Sequence, residues 1–299
     1  GFRGTVYVGY RGELPNWALK GNKESIGKWL EAISLTHVKG LQLVFLSLDT
    51  TYSLNNYKPD FMMDLWQGPA NEADKMFYFD PDIVINESWS CFEDWVNCGV
   101  ALCEDMNSPL QEFHPRRVGW RNYYKNYNIH LQFKNQIYVN GGFLGLVKKD
   151  ITFLTLWIKL QECMAKSIGG LENSIFSNQI YNSTIIKTEG FQVFDKSDQD
   201  ALNATIEVYN DKISYLGKEK GMGFGNGYLN PIMFHALASP KPWKANHFSR
   251  IIKGISPRLV DEFYWKNVNN PIVTISNFKK TQKIMFIKIT KFIGRFYKK

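Results

Sequence analysis

Two aspartates separated by a proline, Asp80-Pro81-Asp82, have the types and spacing to do chemistry. Side chains two apart on an extended backbone point to one side. At a strand end, such a pair offers the oxygen ligands that hard divalent cations take when they bridge phosphates. Tyr78-Phe79 before the pair and Ile83-Val84-Ile85 after it bury the flanks and leave an acidic turn at an edge. His235 closes the apolar run Ile232-Met233-Phe234, and Lys241 follows in a loop fixed by Pro240, Pro242 and Trp243. A neutral imidazole can complete a metal's coordination, and a lysine ammonium is a point charge suited to a phosphate. Asn140-Gly141-Gly142-Phe143 offers an amide for hydroxyls and two glycines that allow a substrate close to the backbone. A second acidic pair, Asp198-Gln199-Asp200, presents carboxylates and an amide suited to sugar hydroxyls or an oxocarbenium-like centre. Each pattern also has a plainer use: a surface turn, a core histidine, a tight turn and a helix cap, respectively.

The elements that must position these residues read as α/β. Thr5–Gly9 and Leu41–Leu48 are β-rich apolar runs, and Ile26, Trp29, Leu30 and Ile33 between them have helical spacing over Glu24–Ser34. That is a βαβ-like opening. Apolar runs at Met76–Phe79 and Gln136–Asn140 read as strands ending at the acidic turn and at the glycine pair, the carboxyl edge where open α/β sheets bind ligands. Asp150–Lys166 reads as an amphipathic helix with Phe153, Leu156, Trp157 and Leu160 on one face. Ser197 with Asp200 resembles a capping box that starts a helix at Asp198. Gly221, Gly223, Gly225 and Gly227 make a flexible loop before the run Pro231–Ala236. There is no internal repeat and no low-complexity segment.

Composition bounds the rest. A chain of 299 residues, 44% hydrophobic, can bury a large core, and the 15% aromatic content suits core with some sugar-stacking surface. The net charge of +8 resides in Lys279–Lys299, which holds eight basic residues and no acidic one; the remaining 28 basic residues balance 28 acidic ones. Nucleic-acid binding would spread cations over the body, so it is excluded as a partner class. Within this tail Met285, Ile289, Phe292 and Phe296 recur at helical spacing among Lys280, Lys288, Lys291, Arg295 and Lys298, with Gly294 near the end. Phe286, Ile293 and Tyr297 widen the apolar face. A basic amphipathic helix of this kind is expected to lie on an anionic membrane surface, at about 1 kcal/mol per cation, the alternative being packing on the body. Cys91, Cys98, Cys103 and Cys163 fit neither a zinc site nor a disulfide scaffold, which suggests a reducing, cytoplasmic compartment. No apolar run reaches the roughly 18 residues that span a bilayer, and no signal peptide is evident. The chain begins with Gly1, which leaves open a processed chain or one domain of a longer protein.

Taken in order, Tyr78-Phe79-Asp80-Pro81-Asp82, Asn140-Gly141-Gly142-Phe143, Asp198-Gln199-Asp200-Ala201-Leu202-Asn203 and His235 with Lys241-Pro242-Trp243 resemble the family-8 glycosyltransferases. The resemblance runs from Asp74 to Trp243. It implies a GT-A fold, Rossmann-like with a mostly parallel central sheet, expected over residues 1–250; the residue pattern adds a C-terminal helical extension with the basic tail over 251–299. It also implies that Asp80, Asp82 and His235 hold Mn²⁺ or Mg²⁺ against the diphosphate of a UDP-sugar, and that Lys241 neutralises the departing diphosphate. Asn140, Gly141, Asp198 and Gln199 would surround the transferred sugar, with Gly142 also binding substrate and Asp198, Gln199 and Asp200 as the catalytic residues, and the sugar would move with retention of configuration. The acceptor would be a glycan or glycolipid of bacterial surface polysaccharide or lipopolysaccharide, and the protein would sit peripherally on the inner membrane face. Two positions depart from the family pattern: Ala238 stands where glycine is expected, and Gly9-Tyr10-Arg11 replaces an acidic turn. Tyr10 could still stack on a base and Arg11 reach a phosphate. The competing readings are a nucleotidyltransferase acting on sugar phosphates and an inactive carbohydrate-binding relative. The first needs a basic, glycine-rich loop by the first strand, where only Gly4, Gly9, Arg11 and Gly12 stand.

Overall fold

The computed structural model describes residues 2–38, 40–177, 179–181, 185–187, 190–224, 230–237, 239–268 and 275–297, without the side chains of 37, 38, 180, 181, 185–187 and 297. Gly225, Gly227, Ala238, Lys298 and Lys299, singled out above, lie outside the described residues. The first sheet pairs β1 (Gly4–Tyr10) in parallel with β4 (Leu41–Ser47), and the segment between them forms β2 (Asn22–Ile26) and β3 (Trp29–Val38). These are antiparallel to each other, and β3 is antiparallel to β4. The helix expected over Glu24–Ser34 is therefore a hairpin, turning at Gly27 with φ +56° between the paired residues Ile26 and Trp29. Residues of β3 and β4 are buried on both faces of this sheet, whereas β2 is largely exposed. Trp29, Ala32, Val44 and Leu46 enter the main core, whereas Ile33, Leu43 and Phe45 pack with Ala18 on the other side. A strand buried on both sides carries apolar residues at spacings that imitate a helix.

Onward run α1 (Lys58–Gln67), β5 (Lys75–Phe79), β6 (Ile83–Ile85), α2 (Trp89–Trp95), β7 (Val100–Cys103), α3 (Pro115–Lys125), β8 (Phe143–Val147) and α4 (Thr152–Ile168). There follow β9 (Ser174–Ile175), β10 (Gln179–Tyr181), β11 (Ile185–Lys187), α5 (Ser197–Val208), β12 (Ile213–Leu216), β13 (Met222–Gly223) and β14 (Met233–His235). The fold is mixed α/β. The central sheet has the order β12-β7-β8-β5, in which β12 and β7 are parallel while β8 runs against both its neighbours. This corrects the mostly parallel sheet expected. A second small sheet, β13-β14-β6, stands beside the end of β5, and a third, β11-β10-β9, precedes α5. The main core lies between the sheets and α1, α4 and α5, with Phe153, Trp157, Leu160 and Met164 of α4 fully buried.

Three other expectations change. The stretch Gln136–Asn140 is not a strand; only Val139 makes an isolated bridge, to Glu104, and the strand begins after the glycine pair, at Phe143. Side chains satisfy this backbone in place of a ladder: Arg117 donates to the Ile137 carbonyl at 2.8 Å, and the Asn203 amide both accepts from and donates to Val139. Helix α5 starts at Ser197, whose hydroxyl accepts from the Ile175 N–H, leaving Asp200 alone to cap by accepting from Lys196 N–H at 2.9 Å. Gly221 and Gly223 are buried, not loop tips; a Cβ on Gly223 would press on Pro231 and Phe234.

The chain closes with α6 (His247–Ile252), which crosses residue 250, then α7 (Leu259–Asn267) and α8 (Asn277–Gly294). Arg258, at the head of α7, pairs with Asp261 and donates to the carbonyls of Leu237 and Pro240, in the loop that carries Lys241. Trp265 donates to the Pro242 carbonyl, and Phe263 stacks on Phe234 with ring centroids 4.4 Å apart. The basic helix forms as expected and packs on α6 and α7, with Ile287, Thr290 and Gly294 buried. A Cβ on Gly294 would strike Ser256 and Ile251, so the approach is close. The stripe Met285, Ile289, Phe292 and Phe296 stays exposed, from 45% at Ile289 to 76% at Phe296. Among the described residues no helix is long and apolar enough to cross a membrane.

Candidate active site

Strand β5 delivers Asp80 to the edge of the central sheet, where its N–H donates to the Gly142 carbonyl and its own carbonyl accepts from Ile83 in a tight turn. Strands β6 and β14 then pair antiparallel with His235 opposite Ile83, and Ala236 N–H donates to the Asp82 carbonyl. Two chain segments far apart in sequence are thereby locked so that Asp80, Asp82 and His235 converge, one ligand atom from each lying within 4.8 Å of the others. His235 Nε2 stands 3.1 Å from Asp82 Oδ1 and 3.6 Å from Asp80 Oδ2. Behind the turn, Phe79, Phe92, Phe143 and Trp95 pack ring to ring and fix the acidic residues' backbone. The nearby backbone is tight as well: a Cβ on Gly142 would lie 2.8 Å from the His235 ring and 2.9 Å from both Asn140 Oδ1 and Asp80 Oδ2. Two carboxylates and an imidazole, with room kept open by a glycine, fit a divalent ion such as Mn²⁺ or Mg²⁺ that retains free coordination positions.

Two lysines serve these acids. Lys241 Nζ lies 2.5 Å from Asp82 Oδ2 and donates to the Ala236 carbonyl at 2.8 Å. Burial alone would raise the Asp82 pKa, but the bonds from His235 and Lys241 outweigh it and hold the carboxyl well below the usual range. Lys58, in the first turn of α1, is buried and was not evident from the sequence. Its ammonium lies 2.8 Å from Asp198 Oδ2, 3.4 Å from Asp80 Oδ1 and 3.0 Å from the Gly141 carbonyl. Burial opposes its charge, yet Asp198, Asp80 and Tyr78 together push its pKa well above the ordinary value. Tyr78 completes this corner by donating to Asp80 Oδ1 at 2.6 Å. A cation in a helix's first turn, where the dipole favours anions, is the sequence signal that could have pointed to Lys58.

The structure brings most of the residues expected around a sugar to the same corner. Gln199 Oε1 accepts from Gly141 N–H at 3.0 Å, and the Asn140 amide donates to Asp105 at 2.7 Å while its oxygen accepts from Gly142 N–H. Asp198 meets the group through Lys58. Among the described residues, Gln199 Nε2 and His235 Nδ1 are buried without a partner, which leaves an amide donor beside the glycine turn. Asp200 points elsewhere. Its carboxylate is wholly buried, accepts from Tyr138 at 2.7 Å and faces Arg116 at 3.9 Å; burial pushes its pKa up to about 6 against the pull of those partners. Gly9 and Tyr10 end β1 on the first sheet and Arg11 follows it; Tyr10 packs with that sheet's outer core and Arg11 donates to the Tyr52 carbonyl. Among the described residues, neither a hydrogen bond nor an ion pair joins them to the Asp80 group.

No protein-family model matches the chain, and no curated protein matches it. A solved structure titled "WbbM bifunctional glycosytransferase apo structure" is similar over 77% of this chain and 42% of that chain, at 15% identity and a TM-score of 0.39. The chain thus spans less than half the length of that protein, and at this distance the likeness assigns it no activity.

Proposed function

We propose that this chain is a retaining glycosyltransferase that moves a sugar from a UDP-sugar to a glycan or glycolipid acceptor of bacterial surface polysaccharide or lipopolysaccharide. The observation that carries the reading is the convergence of Asp80, Asp82 and His235 with Lys241, beside a turn whose Gly141 N–H and Gln199 amide face the same corner. Asp80, Asp82 and His235 would hold Mn²⁺ or Mg²⁺, which supplies Lewis-acid charge for the leaving diphosphate. Lys241 adds a second positive charge beside it, positioned to stabilise the phosphate oxygens as they gain charge. Gln199, with a free amide donor, and Asn140 orient hydroxyls of the donor sugar. Asp198 is engaged by Lys58 and Gln199 is a poor nucleophile, which favours displacement on the sugar's front face through a loose transition state over a covalent intermediate.

We place the enzyme peripherally on the cytoplasmic face of an anionic membrane, through the exposed apolar stripe and cations of α8, within reach of lipid-linked acceptors. Residues 1–250 would carry the catalytic groups, and the remainder would both brace the Lys241 loop and bear the docking helix. A screen of UDP-sugars for turnover with and without chelator tests the reading. Metal-dependent release of UDP, lost in Asp82→Ala, with a product of unchanged anomeric configuration by NMR, is expected. Full-rate turnover in chelator, or in the variant, would overturn it; binding of glycan without donor or metal would favour a carbohydrate-binding protein instead.

A further inference from the structure

Both carboxylates of the candidate metal triad are matched by a lysine ammonium, and the two lysines are held in different ways. Lys58 is buried, anchored by Asp198, Asp80 and the Gly141 carbonyl, and rises from the rigid first turn of α1. If it withdrew, Asp198 would lose its cation inside the protein, which is costly. Lys241 has no such anchorage. Its side chain is 31% exposed, it stands on the loop between β14 and α6, and Asp82 Oδ2 and the Ala236 carbonyl are its partners. Asp82 Oδ1 faces His235, so the ammonium occupies the oxygen that the imidazole leaves.

Electrostatics makes this occupancy consequential. A divalent ion entering between Asp80, Asp82 and His235 would meet an ammonium already on one of its ligands, in a half-buried site where like charges are weakly screened. A diphosphate changes the balance, because it offers the ammonium another anion and offers the metal further oxygens. Resting on the reading of Asp80, Asp82 and His235 as a metal site, we propose that Lys241 is an exchangeable internal cation. It neutralises Asp82 in the free protein and moves onto the diphosphate as the donor binds, so that the divalent ion is held tightly only together with a nucleoside diphosphate. Lys58 remains in place through the exchange and keeps Asp80 and Asp198 aligned.

Titration calorimetry of MnCl₂ into the free protein, and into protein saturated with UDP, tests this without turnover. The variants are Lys241→Ala, Lys241→Met, which keeps the aliphatic stem should the alanine fold poorly, and Lys244→Ala. The last removes an equal charge three positions on, from an exposed side chain with no bond to Asp82. For the wild type, UDP should raise Mn²⁺ affinity by at least about tenfold. Without UDP, both Lys241 variants should bind Mn²⁺ about tenfold tighter than the wild type, whereas Lys244→Ala should match it. The inference is overturned if the Lys241 variants bind Mn²⁺ alone no tighter than the wild type, or if Lys244→Ala tightens it equally, while the wild type still binds Mn²⁺ with UDP. If no protein binds Mn²⁺ even with UDP, the metal-site reading falls and takes the inference with it.

Discussion

Replacing Lys58 by methionine keeps most of the side chain's volume and removes its charge, leaving Asp198 and Asp80 facing each other without their shared cation. Removing one partner of a buried ion pair costs about 3–5 kcal/mol; the low end, about 3 kcal/mol, applies here because the two carboxylates retain 13% and 21% exposure and can recruit water. For a chain of this length, about 2 °C of Tm is lost per kcal/mol, so thermal unfolding followed by circular dichroism should shift down by about 6 °C. The sign of the pH dependence follows from the raised Lys58 pKa. Stability contributed by such a group is complete below its unfolded pKa and is lost only as pH rises through the folded one, so the gap between wild type and variant should stay constant from about pH 6 to 9. Pairing the variant with Asp198→Asn should recover about 1 kcal/mol or more relative to additivity. A Tm within about 1 °C of wild type, or strict additivity of the two substitutions, would refute the ion-pair geometry.

Other perturbations probe other parts of the molecule. Asp200→Asn should flatten the pH dependence of stability: with its folded pKa raised to about 6, Asp200 favours folding less as pH rises from 4 to 7. The wild type should lose about 2–3 kcal/mol relative to the variant over that range, read from urea midpoints. Gly142→Ala should cut transfer and Mn²⁺ affinity by about a hundredfold through collision with His235 and Asp80, at a stability cost of about 1–3 kcal/mol. Replacing both Phe292 and Phe296 by serine should weaken sedimentation with anionic vesicles by about tenfold or more. Tm should barely move, since both rings are exposed.

How much was legible in the sequence depended on whether a residue's partners lie nearby in the chain. The acidic turn at Asp80-Pro81-Asp82 and the run ending at His235 could be read because each lies at a strand's end, and their convergence needed only that β6 and β14 pair. Lys58 could not be found that way, since its partners lie 140 residues away at Asp198 and beyond a helix and a strand at Asp80. The β2–β3 hairpin shows a different limit: Ala32 and Ile33 are buried in different clusters while Leu30 is exposed, and the register shifts between Glu24 and Ile26, so the run lacks the alternation that marks a strand. Asp200 resembles its neighbour Asp198 in type, yet two residues along a helix, about 200° of rotation, turn it to Tyr138 and Arg116. The tail's stripe was read correctly as a pattern, but the opposite line of Ile287, Thr290 and Gly294 that seats the helix held no cue of comparable strength.

The anchorage of Arg258 and Trp265 on the backbone around Lys241 has a practical consequence for anyone shortening this protein. The C-terminal helices are a buttress for the loop, since Leu237, Pro240 and Pro242 each give a carbonyl to α7 and its leading arginine. A chain cut near residue 250 would discard those donors and the Phe263 ring that covers Phe234, one residue before His235. Such a truncation would therefore disturb the candidate site itself, and any functional loss in it could not be credited to lost contact with a membrane.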